Sequence, residues 1–219
     1  VEYTCKLRKK GGIYSVQDLI DFSNLINGNS VSGRTLEDFY NVIDGDTIIF
    51  LEEDLTLTAD SSKLILPIGY HNTKGFRHTF DGQGHTISGL VVPDRSTNSS
   101  VYNGYSGLFG YITKDGIVRN LTIEGASNVE GSTDDGVGVL AAQNYGLIID
   151  CAILTSTLTI ENTSGNIHQF GFICGSSYGI ITNCHVKNCT LTADNNCMAG
   201  FIAGCASGKL LNCRSFNNT

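Results

Sequence analysis

Charge is scarce in this chain: Asp, Glu, Lys and Arg make up 16% of it, against about a quarter in ordinary globular domains. Proline occurs twice in 219 residues. No basic run extends beyond Lys6–Lys10 and the formal net charge is -7, which argues against nucleic acid as a partner. No stretch approaches the roughly 18 apolar residues of a transmembrane helix. The eight cysteines include no C-x-x-C pair, and no histidine is placed with them as a zinc cluster needs. H-E-x-x-H, G-x-S-x-G and phosphate-binding glycine loops are missing. The chain starts at Val1 with no initiator Met and no signal-like segment, as expected of a piece of a longer polypeptide.

Glycine, at 26 residues, is plentiful, and its placement is periodic. Four apolar blocks framed by small residues recur: Gly107-Leu108-Phe109-Gly110, Gly138-Val139-Leu140-Ala141-Ala142, Gly171-Phe172-Ile173-Cys174-Gly175 and Gly200-Phe201-Ile202-Ala203-Gly204. Each leads to a second mark of glycine, then Asn or Asp, then Leu or Cys. These marks are Gly116/Asn120/Leu121, Gly146/Asp150/Cys151, Gly179/Asn183/Cys184 and Gly208/Asn212/Cys213, separated by 30, 33 and 29 residues. A period of that size describes a solenoid, in which each unit buries its apolar edge only against a neighbour.

Within a repeat, a short apolar strand, a turn, a second strand near Val118, Ile148, Ile181 or Leu210, and a third after the Asn/Asp mark are expected. No amphipathic helix fits inside. The expected fold is therefore all-β: a three-sided right-handed parallel β-helix, its hand following the rule for parallel crossovers. Asn120, Asp150, Asn183 and Asn212 then form a structural ladder at one bend, each side chain able to bond turn backbone. Leu121, Cys151, Cys184 and Cys213 form a core stack beside it. Buried free thiols are the simplest reading of the cysteines. A disulfide between adjacent coils is also sterically allowed, at a strand spacing of about 4.8 Å.

Ahead of the repeats, residues 1–10 alternate weakly, as a strand would. From Ser15 the period turns helical: Val16, Leu19, Ile20, Phe22, Leu25 and Ile26 make one apolar stripe that Asn27-Gly28 ends. This helix is expected to cap the open first coil and shield its strand edges. Val42–Leu57 reads as the first strands, turning at Asp44-Gly45; Lys63–Ile68 and His85–Val92 read as further strands. Loops are expected at 93–106, 125–136 and 161–168. The whole of 1–219 reads as one β-helical domain, with capping helix and lead-in at 12–30, first coils at 40–106 and repeats at 107–219.

The recurring G-x-[FIL]-x-G and G-x-[IVL]-x-N-[LC] patterns resemble the GLUG repeat. Pro67-Ile68-Gly69 and Phe80-Asp81-Gly82-Gln83-Gly84-His85-Thr86-Ile87-Ser88-Gly89-Leu90 are similar to the run that introduces such arrays. The resemblance covers about 12–215 and departs at Leu66, where a Trp is common, and at Ala141-Ala142, where the closing glycine is lost. It implies large secreted or surface-anchored bacterial proteins, including the non-catalytic region of some IgA-cleaving metallopeptidases. It carries no catalytic residue, cofactor or metal ligand.

Parallel β-helices also include lyases and glycosidases, so acids were weighed. Glycosidic chemistry needs two carboxyls about 5–9.5 Å apart on one wall. Glu52, Glu53 and Asp54, or Asp134 with Asp135, are the available groups, and neither set recurs on a neighbouring coil with Arg or Lys. His71, His78 and His85 fall in an expected loop and turn. The expectation is a non-catalytic extracellular adhesin segment or stalk; a polysaccharide-degrading enzyme and a ligand-free spacer are the alternatives. Tyr102, Tyr105 and Tyr111 are the candidate ligand contacts, with Tyr70 and Tyr145 on other coils. Their ligand would be a host or microbial glycan or a surface protein.

Overall fold

A computed structural model describes residues 11–70, 72–92, 105–128, 136–160, 168–193 and 197–219. The chain is a parallel β-solenoid of about four coils preceded by a helical cap. Five short strands make each of the three coils that run from 105 to 193, four are described in the last, and corresponding strands stack into five sheets. One sheet contains Ile117–Arg119, Leu147–Ile149, Ile180–Thr182 and Lys209–Leu211; a second contains Thr122–Glu124, Ala152–Leu154, His185–Lys187 and Arg214–Phe216. A third contains Ser127–Asn128, Thr157–Ile160 and Thr190–Ala193. Tyr105–Ser106, Gly136–Gly138, His168–Gly171 and Cys197–Gly200 form the fourth. The fifth is Phe109–Ile112, Ala141–Asn144, Cys174–Ser177 and Ala203–Ala206. The expected three strands per coil are thus five, because each glycine-framed block bends at its middle and gives a strand on either side, and a further strand follows the bend at Gly125, Thr155 or Asn188.

Registers between coils are the ones the repeat implies. Val118, Ile148 and Ile181 are aligned and fully buried, as are Ile123, Ile153 and Val186. Cys174 pairs with Ala203. Leu121, Cys151 and Cys184 are buried in the stack, while Cys213, on the last coil, is half-buried. All seven described cysteines are free thiols. Burial pushes the Cys151 thiol well above its ordinary value and raises that of Cys174 as well.

The ladder at Asn120, Asp150, Asn183 and Asn212 is present, with a physical cause other than the expected one. All four have φ of 53–54°, the left-handed region that Asn and Asp tolerate better than most residues. The ladder side chain with a recorded bond is Asn120, whose Nδ2 donates to Asp81 Oδ1 at 3.0 Å. A second left-handed column, Gly125, Thr155, Asn188 and Asn217, follows the next strand.

Glycines of the second mark are required by close approach. A methyl group on Gly146 would strike the carbonyl oxygen of Gly116, one on Gly179 that of Gly146, and one on Gly208 that of Gly179. The coils meet backbone to backbone along this line.

The amino-terminal helix α1, Val16–Ile26, buries Leu19 and Phe22, and Phe22 packs on Phe39 with ring centroids 5.4 Å apart. Ser15 caps it by accepting from the Asp18 N–H. Burial alone would raise the Asp18 carboxyl. Bonds from Arg34, Ser15 and the Tyr14 N–H outweigh that and hold it below its usual value. Asn27 ties the cap to the solenoid: its Nδ2 donates to Ser23 O and Pro67 O, and its Oδ1 accepts from the Tyr70 N–H. Tyr40–Ile43 and Asp46–Phe50 form an antiparallel hairpin whose second strand begins the parallel stack.

Lys63–Ile68 is not a strand. Helix α2, Ala59–Leu64, occupies its start because Thr58 and Ser61 form a capping box. Only Ile68 makes a bridge, to Phe109. The expected strand at 1–10 lies outside the described residues, as do 93–104, 129–135 and 161–167 of the expected loops.

Candidate functional site

The tyrosines converge on one side of the solenoid, and the turns that place them repeat. After the last three strands of the fifth sheet one residue precedes the close-packed glycine: Tyr145 before Gly146, Tyr178 before Gly179 and Ser207 before Gly208. The backbone N–H of each bonds back one coil, Tyr145 to Ile112 O, Tyr178 to Asn144 O and Ser207 to Ser177 O, at 2.8–2.9 Å. Buried Asn144 fixes the bend: its Oδ1 accepts from the Gly146 N–H and its Nδ2 donates to Ser177 Oγ. Tyr145, Tyr178 and Ser207 are all exposed at these turns.

They stack. Tyr111 and Tyr145 have ring centroids 4.9 Å apart at 21°, and Tyr145 and Tyr178 are 4.7 Å apart at 18°. Tyr105 joins Tyr111 at 6.4 Å. Tyr145 is 39% exposed and Tyr178 47%. Each stacked pair contributes about 0.5–1.5 kcal/mol beyond its buried area. Burial first, then the proximity of Tyr145 and Tyr105, raises the Tyr111 hydroxyl above its usual value. Burial also raises that of Tyr178.

Three columns run along this side, with Gly136 and Ser176 buried: Tyr105, Gly136, Gln169 and Met198; Tyr111, Gln143, Ser176 and Cys205; and Tyr145, Tyr178 and Ser207. None of these residues is charged, in a chain of net charge -7. Ser176 Oγ donates to Gln169 Oε1 at 2.9 Å, joining two of the columns.

Of the sequence-derived contacts, Tyr105 and Tyr111 come together here with Tyr145, while Tyr102 lies outside the described residues. Tyr70 is elsewhere, beside Lys74. Tyr178 was missed, although the Tyr-Gly pair repeats at Tyr145-Gly146 and Tyr178-Gly179, one repeat apart.

Of the acids weighed as catalysts, Asp54 is bonded to its neighbours and Glu52 Oε1 is a buried oxygen. Asp54 accepts from the Thr86 N–H at 2.8 Å and from His85 Nδ1 at 3.0 Å. The Thr86 bond, then the His85 one, hold its carboxyl below the usual value. Asp134 and Asp135 lie outside the described residues. His78 Nε2 is 3.4 Å from the Tyr40 hydroxyl. Among the described residues no group of three His, Cys, Asp or Glu could hold a metal ion. No helix among them is long and apolar enough to cross a membrane.

No family model matches the chain. It is 32% identical over 139 residues to Halomucin of Haloquadratum walsbyi, covering 62% of this chain and 1% of that protein. It is 36% identical over 88 residues to the "Putative Gly-rich membrane protein" of Evansella cellulosilytica, covering 40% of this chain and 9% of that protein. The chain therefore spans only a small part of these relatives. Among solved structures, a "putative immunoglobulin A1 protease from Bacteroides ovatus" aligns with TM-score 0.48 and 14% identity, over 94% of this chain and 77% of that one.

Proposed function

We propose that the chain is a non-catalytic extracellular module of a larger bacterial-type surface protein, an adhesin segment that binds through its tyrosine side. The observation that carries this reading is the outward stack of Tyr111, Tyr145 and Tyr178. Tyrosine presents a flat apolar body with a polar tip and loses little side-chain entropy when held, which suits recognition surfaces. The same coils make a stiff support, since the glycine column lets backbones touch along the axis. Similarity to a protein named as a membrane protein supports the surface setting. On this reading the GLUG resemblance describes the architecture, and the chain is one segment of a long array.

The test is binding of the labelled chain to an array of glycans and extracellular proteins, against a variant with Tyr111, Tyr145 and Tyr178 all changed to Ala. Loss of signal in the folded variant is expected; equal binding by both proteins would refute an adhesive role and leave a spacer. Release of reducing ends or unsaturated products from polysaccharides, abolished by Asp54→Asn, would overturn the non-catalytic assignment.

A further inference from the structure

The bend that carries the Asn/Asp ladder changes its chemistry along the solenoid. At its first coils the bend borders a cleft of about 520 Å³ lined by Asp81, Gln83, Gly84, Asn120, Thr122 and Asp150. There the protein supplies its own carboxylate. Asp81 accepts from Arg119 Nε at 2.9 Å, from Asn120 Nδ2 at 3.0 Å and from the Gln83 N–H at 2.9 Å. At the last two coils the bend borders a second cleft of about 470 Å³, lined by Asn183, Cys184, His185, Asn212, Arg214 and Phe216. The same donor types recur, an arginine and ladder amides, but no carboxylate is among the lining residues. Among the described residues, no ion pair or hydrogen bond engages the side chains of Arg214, Asn183 or Asn212.

Cations gather on this stretch. Between 180 and 219 the sequence holds Lys187, Lys209 and Arg214 against a single acid, Asp194, which lies outside the described residues. Arg214 pairs in register with His185, and Phe216 with Lys187. Lys187 Nζ is 5.6 Å from the centre of the Phe216 ring, and the His185 ring stacks beside it at 6.2 Å. Phe216 remains 40% exposed. Exposed Lys209 stands across the bend, on the last strand of the first sheet. Two acids lie further down the same columns, Asp150 one coil from Asn183 and Glu124 two coils from Lys187.

We propose that the cleft at Asn183, Asn212, Arg214 and Phe216 binds a carboxylated sugar of an acidic oligosaccharide. The sugar's carboxylate takes from Arg214 and the ladder amides the kind of bonds that Asp81 takes from Arg119 and Asn120. The strands of the first sheet separate this cleft from the tyrosine turns, and the proposal does not rest on the adhesive reading of those turns. A guanidinium matches a carboxylate in geometry as well as charge. The remaining amide groups can donate to and accept from sugar hydroxyls, and the open Phe216 ring offers an apolar surface to a C–H face. An acidic peptide fits less well, because extended peptides bind by adding to a free strand edge. Here the cleft is a face of paired strands, with the His185 and Arg214 N–H groups already bonded to Cys151 O and Cys184 O. Side chains must therefore make the contacts. The net charge of -7 does little to oppose this, since exposed charges beyond about 8 Å are screened at physiological ionic strength.

The experiment titrates the full 219-residue chain by calorimetry, with side-chain amide NMR shifts read alongside. Trigalacturonate and 3′-sialyllactose are the carboxylated probes, maltotriose and lactose their neutral counterparts, and triglutamate the acidic peptide. Saturable binding of at least one carboxylated sugar is expected, weakening as NaCl is raised. Arg214→Gln should weaken it at least about tenfold, as expected for loss of a charge-assisted pair. Asn212→Gly keeps the left-handed bend while removing the amide, and should weaken binding about threefold or more. Lys63→Gln removes an exposed cation elsewhere and should leave affinity unchanged. Circular dichroism checks that each variant folds.

No binding of either carboxylated sugar, equal binding of its neutral counterpart, or tighter binding of triglutamate would each overturn the proposal. So would unchanged affinity in Arg214→Gln, or an equal loss in Lys63→Gln, which would make the effect one of net charge. The variant with Tyr111, Tyr145 and Tyr178 changed to Ala should still bind the carboxylated sugar. Loss of binding there would move the ligand to the tyrosine side, so the cleft falls and the adhesive reading stands.

Discussion

Replacing Gly146 with Ala adds one methyl group at a place where the backbone conformation permits it, since Gly146 is not among the residues of positive φ. The obstacle is the preceding coil. The new Cβ would collide with the carbonyl oxygens of Gly116 and Thr113. The Gly116 carbonyl cannot swing aside freely, because it accepts the Leu147 N–H at 3.0 Å. Relief requires the two coils to separate, which strains or breaks that bond. Overpacking a tight site costs about 1–3 kcal/mol, and a lost internal hydrogen bond adds about 0.5–1.5 kcal/mol. The expected loss is about 2–4 kcal/mol, or a fall in Tm on the order of 5–15 °C for a chain of this size. Gly136→Ala is the matched control: it also has no positive φ, and its Cβ would sit 3.6 Å from Ala142 O, an ordinary contact. That variant should unfold at the wild-type midpoint or slightly above it, since alanine restricts the unfolded chain. Urea and thermal unfolding of both proteins by circular dichroism decide the matter. Equal midpoints for the two variants would show that coils are not held at backbone contact along the glycine column.

Asn183→Ala should destabilise the chain by about 1 kcal/mol, and Asn183→Gly by much less, because the position demands left-handed backbone; equal losses in urea unfolding would restore a side-chain bonding role. Asn27→Ala leaves Pro67 O and the Tyr70 N–H without their partner, so a loss of about 2–4 kcal/mol is expected, with faster hydrogen exchange in α1 than in the coils. In alkaline titration, tyrosinate absorbance of the folded chain should lag that of the unfolded chain, since Tyr111 and Tyr178 are raised above 10.0. Their stabilising contribution is complete below that value and is lost as pH rises through the folded-state pKa values, so coincident curves would contradict the partial desolvation of these hydroxyls. A thiol reagent at neutral pH should modify half-buried Cys197 and Cys205 before Cys151 and Cys174, whose buried thiols are held protonated; early labelling of Cys151, followed by mass spectrometry of peptides, would refute the stack.

Much of the site was written in the sequence, but unevenly. Tyr105, Tyr111 and Tyr145 could be named because they crowd around the glycine-framed blocks. Tyr178 stands alone in its own repeat and gains its meaning only when Tyr145 is placed one coil beneath it. The second bend column was invisible for a related reason. Gly125, Thr155, Asn188 and Asn217 follow the same 30-, 33- and 29-residue steps as the first, yet three residue types fill it, so no motif marks it. A left-handed bend constrains backbone and leaves side-chain identity partly free.

By itself the sequence determined the solenoid, its coil length, the capping helix and the inward columns. Each of these follows from local periodicity, and every coil repeats the same solution against its neighbour. The tertiary structure decided what depends on lateral fit between coils. It split the coils between 105 and 193 into five strands each and placed Gly146, Gly179 and Gly208 where carbonyls of the preceding coil leave no room for a methyl. It made the start of Lys63–Ile68 the tail of a capped helix. It also gathered Tyr111, Tyr145 and Tyr178 from three coils into one stack, because side chains separated by a whole coil in sequence become nearest neighbours when strands pair in register.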